Sequence, residues 1–148
     1  MTAPTFEPAP GRPLAQPWRG TAEALVEATV GLAPLWWLRG SRMRTKMGLL
    51  DEWAAALQFP PHFGGTWDAF RDALSDLPEG GTFLVLEAEQ LLQDAPPEAA
   101  EALWLVLRDA REDLAPKPFR VVLQAEFERF DTLVQGLRAV GVCESESM

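Results

Sequence analysis

Three short apolar runs set the limits on how this chain can fold. Leu35-Trp-Trp-Leu38 ends at Arg39-Gly40, Thr82-Phe-Leu-Val-Leu86 follows a Gly-Gly turn, and Phe119-Arg-Val-Val-Leu123 follows Pro116-Lys-Pro118. The first two lack the polar alternation of a half-solvated strand, which is how a strand buried on both faces reads. Helical patterns fill the intervals between the runs. The order strand, helices, strand, helix, strand predicts an α/β fold, a small three-stranded parallel sheet packed with helices.

The helical segments carry their own punctuation. Thr45 is placed to cap a helix running to Leu57, with Leu49, Leu50, Trp53, Ala54 and Leu57 on its apolar face. Asp94-Ala-Pro-Pro97 reads as a helix start with Asp94 as cap, and Leu103, Val106, Leu107, Ala110 and Leu114 mark that helix's core side. Residues 126–138 predict a terminal helix through Phe127, Phe130, Leu133, Val134 and Leu137. At the other end, residues 1–20 hold five prolines and no periodic pattern, which predicts a mobile arm. Thr21 to Val30 then suits a short helix with Leu25 and Val26 inward. The expected division is an extension over 1–31, largely flexible, a domain over 32–125, and a terminal helix with a loose tail over 126–148. Trp36, Trp37, Trp53, Trp67 and Trp104 are all expected in packing.

One stretch is costlier than folding requires. Phe59-Pro-Pro-His-Phe-Gly-Gly65 is a loop in which the prolines stop the preceding helix and Gly64 and Gly65 open backbone angles closed to other residues. Thr66 is a helix cap. Trp67, Phe70, Leu74 and Leu77 then recur at three- and four-residue steps as one buried stripe. Asp68 and Asp72 fall on another face, one turn apart, where like charges cost a helix roughly 0.2–0.5 kcal/mol. The helix dipole accounts for Asp68 in the first turn but not for Asp72.

Charge is concentrated around this stretch. Residues 58–114 carry three basic and twelve acidic groups, net −9, while residues 1–57 are net +1 and residues 115–148 net −1. Such a surface repels phosphate backbones, so nucleic acid is not an expected ligand. It attracts and steers a basic protein. No apolar run approaches the roughly 20 residues that span a bilayer. The absence of a basic leader with an apolar core, and of any cysteine other than Cys143, points to a cytoplasmic protein without internal disulfide or cysteine-based zinc site. His62 is the only histidine. No nucleophile–histidine pair, phosphate-binding glycine loop or metal-ligand spacing is present. Neither enzyme activity, cofactor nor metal is expected.

The loop and helix at 59–74, the strand Phe83-Leu-Val-Leu-Glu87, and Val106-Leu-Arg-Asp-Ala-Arg-Glu-Asp113 with the strand ending Val-Val-Leu123 resemble the barstar family in its order, over about residues 32–125. That family comprises small intracellular inhibitors of secreted bacterial ribonucleases. In it, the loop and helix plug the enzyme's cleft, and carboxylates replace the phosphates of the RNA. The resemblance implies that Asp68 and Asp72 are the inhibitory aspartates. It further implies that Phe63 and Gly64 are the loop's aromatic–glycine pair, and that Asp109 and Asp113 are acidic positions of the later helix. Three positions depart from the best-known member. His62 stands where it has a stacking tyrosine, Thr66 replaces an asparagine, and Arg71 replaces a tryptophan beside Asp72. The resemblance implies a monomeric immunity protein against a basic extracellular-type ribonuclease or related toxin. The alternative is an interaction module of the same fold that binds a different toxin or a regulatory partner.

Overall fold

The computed structural model describes residues 14–32, 34–60 and 63–141. Its sheet has four strands rather than the expected three: β1 (Ala15–Arg19), β2 (Leu35–Arg39), β3 (Gly81–Leu86) and β4 (Phe119–Ala125), in the order β1-β4-β3-β2, with every neighbouring pair parallel. The three expected strands are all present, the third extended to Ala125. The added strand comes from the proline-rich segment read as an arm. Pro17 has no N–H to donate, yet it is accommodated because among the described residues β1 is an edge strand with β4 as its one neighbour. The part of the expected arm before Leu14, and the tail beyond Gly141, lie outside the described residues.

Helices α1 (Ala22–Ala28), α2 (Lys46–Leu57), α3 (Trp67–Ser75), α4 (Pro97–Leu114) and α5 (Phe127–Ala139) cover the sheet unequally. On one face, Leu25 of α1 packs with Trp18, Leu84 and Val122. The other face carries the main core, where Leu38, Phe83, Val85, Val121 and Leu123 meet Trp53 of α2, Phe70 and Leu74 of α3, Leu103 and Leu107 of α4, and Phe130 and Leu137 of α5. Period-two alternation sends successive strand residues to these two layers, and this is why the strands read as nearly continuous apolar runs. Within the main core, Phe83 lies 4.9 Å from Trp53 of α2, joining sheet to helix, and 5.0 Å from Phe119 of the neighbouring strand.

Three packing expectations change. Trp37 is 52% exposed, because β2 is the other edge strand and the buried strand residues packed with Leu25 of α1 come from β1, β3 and β4. Phe127 at the start of α5 is also exposed, with the Arg19 guanidinium 5.1 Å over its ring. Asp94 does not cap α4, whose N-cap is Pro96 with Pro97 in the first turn. Its carboxylate instead takes a fork from Arg44, Nε at 2.8 Å and Nη2 at 3.2 Å, and this donation holds Asp94 below the usual carboxylate range.

Polar groups inside the sheet are paired. Gln124, 1% exposed, accepts from the Glu87 backbone N–H at 2.8 Å and donates to the Gly20 carbonyl at 2.7 Å. One side chain thus ties together the ends of β1 and β3 across β4. Gly80, at φ +67°, makes the turn into β3, and any Cβ there would strike the Pro118 carbonyl oxygen.

Candidate functional site

The loop and α3 are built as their residues dictate. The Thr66 hydroxyl accepts from the Ala69 N–H at 3.0 Å and starts the helix. Gly65, at φ +68°, supplies the backbone angle the loop requires; Gly64 does not take a positive φ. Phe63 turns inward, its ring 5.1 Å from Phe59, and Phe59 in turn lies 6.3 Å from Phe70. The loop is thereby pinned to the core by an aromatic row. Gly64 and Thr66 are exposed, and His62 lies outside the described residues.

Phe70 and Leu74 are fully buried, whereas Trp67 and Leu77 are only partly so. Trp67 packs on Phe70 at one side, and the Lys46 ammonium sits 5.4 Å from its ring centroid. The tryptophan expected in the core is therefore at its rim, roofed by a lysine that the sequence placed among loop charges. The contact is a cation–π arrangement.

Burying Phe70 and Leu74 turns Asp68 and Asp72 outward. Both are exposed, and neither has a hydrogen-bond or ion-pair partner among the described residues. Their side chains stand on one helix face, about 5–6 Å apart at Cβ by helical geometry.

Arg71 behaves differently from its neighbours. Its guanidinium crosses to α4, with Nη2 3.3 Å from Asp113 Oδ2 and Nη1 3.9 Å from Asp109 Oδ2. The Ser75 hydroxyl donates to the same Asp113 oxygen at 2.8 Å. Arg71 and Ser75 are one turn apart on α3, facing Asp109 and Asp113 one turn apart on α4. That matched spacing was the available sequence signal for the cluster. Of the nine residues singled out, the structure brings Arg71, Asp109 and Asp113 into one ion-paired cluster and leaves Asp68 and Asp72 unpaired beside it.

The surface is therefore a short acidic strip on α3, its loop anchored from below, with a compensated cluster at the α3–α4 seam. Two unpaired carboxylates on a rigid helix can accept hydrogen bonds from guanidinium and ammonium groups. No group of three His, Cys, Asp or Glu side chains that could hold a metal occurs among the described residues. No helix there is long and apolar enough to cross a membrane.

Residues 34–124, well over half of the chain, match the family described as Barstar (barnase inhibitor). A comparison with curated proteins finds no match.

Proposed function

Because this chain belongs to the barstar family, a family of ribonuclease inhibitors rather than enzymes, we propose that it is an immunity protein that blocks the cleft of a basic ribonuclease. In this reading the loop at 59–66 and α3 enter the cleft. Asp68 and Asp72 stand in for RNA phosphates, and His62, Phe63, Gly64 and Thr66 shape the approach. The observation that carries it is the pair of exposed, unpartnered carboxylates on α3, presented by a helix whose opposite face is locked into the core. Folding gains nothing from Asp72 at that place. The surplus of acid over residues 58–114 would raise the rate of encounter with a cationic enzyme. The protein acts as a cytoplasmic monomer in this reading and needs no cofactor.

Calorimetric titration against a small basic secreted bacterial ribonuclease, with wild type and Asp72→Ala side by side, tests this. Tight binding that the substitution destroys supports it; unchanged affinity in the variant overturns the site. A second reading is favoured by one observation, the cation of Arg71 within an acidic face: a module that binds another toxin or a regulatory protein. Salt-insensitive binding, or binding through another face, would favour it.

A further inference from the structure

We infer that Arg71 determines specificity on this surface, by withdrawing Asp109 and Asp113 from it and leaving Asp68 and Asp72 as the carboxylates open to a partner. The inference rests on the inhibitor reading above. Without Arg71, the seam of α3 and α4 would present four carboxylates. With it, the guanidinium faces Asp113 at 3.3 Å and Asp109 at 3.9 Å, and Ser75 holds the same Asp113 oxygen at 2.8 Å. A carboxylate already bound by a guanidinium and a hydroxyl has less capacity to accept from an incoming cation. Pulling it away would cost the partner a competing ion pair.

Arg71 is also 45% exposed, so its positive charge remains part of the face. The partner that fits is correspondingly defined. It sets cations against Asp68 and Asp72, and opposite Arg71 it presents a neutral group that accepts hydrogen bonds. A cation there would be repelled. A ribonuclease that spreads its basic groups over both helices fits poorly; one that gathers them opposite α3 fits well.

Two linked measurements test this. In titrations with a small basic secreted ribonuclease whose cations extend over both helices, Asp113→Asn should weaken binding by less than about twofold in the wild-type background. In the Arg71→Met background, where Asp113 is released, the same change should weaken it by about tenfold. A tenfold loss from Asp113→Asn in the wild type, or none in the Arg71→Met protein, overturns the proposal. In the second measurement, urea unfolding of the free proteins compares both single variants with the double. The double should lose less stability than the product of the singles, by about two- to fivefold in the unfolding constant. Strict additivity shows no coupling and overturns the withdrawal of Asp113. A titration in which Asp72→Ala binds as wild type instead overturns the inhibitor reading, and the specificity role falls with it. The unfolding comparison still reports on the ion pair in that case, so the two failures are distinguishable.

Discussion

Glu52, nearly buried on α2, receives three hydrogen bonds from Arg39 at the end of β2. The guanidinium donates through Nε to Oε2 at 2.9 Å and through Nη2 to Oε1 at 3.1 Å, and the Arg39 backbone N–H donates to Oε2 at 2.9 Å. Burial by itself pushes the Glu52 carboxyl up; the Arg39 side chain, its backbone N–H and the charges of Arg39 and Arg42 outweigh it and hold the group below the usual glutamate range. A carboxylate lowered on folding contributes stability that is complete above its unfolded value and drains as pH falls through the folded one. Glu52→Ala should therefore lower stability at neutral pH by roughly 1.5–3 kcal/mol. The variant should also lose the part of the acid-unfolding slope that lies below the ordinary glutamate range. Urea midpoints from neutral to acid pH check both.

Asp72 and Asp68 should separate binding from stability. Asp72→Ala is expected to weaken ribonuclease binding at least about tenfold, or about 1.4 kcal/mol. The free protein should gain roughly 0.2–0.5 kcal/mol as like-charge repulsion is relieved. Asp68→Ala sheds the same repulsion but loses a favourable first-turn charge, so its stability should move by less than about 0.5 kcal/mol. Thermal unfolding and titration of the same two preparations decide this.

Association should be steered by charge. Raising salt from low to physiological should slow the on-rate and leave the off-rate little changed, because screening acts on encounter beyond about 8–10 Å. Stopped-flow mixing at several salt concentrations measures this directly. An on-rate indifferent to salt contradicts a role for the acidic middle of the chain.

Trp18 reports on β1. It is 8% exposed and packs with Leu25, Leu84 and Val122 on the face α1 covers. Trp18→Ala should cost about 3–5 kcal/mol, the loss expected of a buried aromatic. A change under 1 kcal/mol in urea unfolding, on the scale of an ordinary surface substitution, would mean that β1 adds little to the sheet.

Gln124→Leu leaves the Glu87 N–H and the Gly20 carbonyl without their partner. Each orphaned group costs about 1–3 kcal/mol. Protection of the Glu87 amide from hydrogen exchange should fall with it.

Much of this protein was determined by local sequence. The apolar runs at 35–38, 82–86 and 119–123 are all strands; those at 82–86 and 119–123 are continuous because parallel strands covered on both faces need apolar residues on both. Thr21, Thr45 and Thr66 cap α1, α2 and α3 because a hydroxyl one residue before a helix can reach a free amide. The outward place of Asp68 and Asp72 follows from Phe70 and Leu74 facing in.

What sequence could not decide depended on which segments meet. Pro17 argues against a strand locally; it is allowed because β1 takes an edge, and edge position exists only once β4 is in place. Trp37 reads like Leu38, but the edge position of β2 and the face each side chain takes leave Trp37 exposed and Leu38 buried. Asp94 and Arg71 each have a local role available, a cap and a neighbour of Asp72, and each instead pairs across the fold, with Arg44 and with Asp113. Long charged side chains choose partners by position in space, and chain positions 42 or 50 residues apart become neighbours only when helices pack on a common sheet.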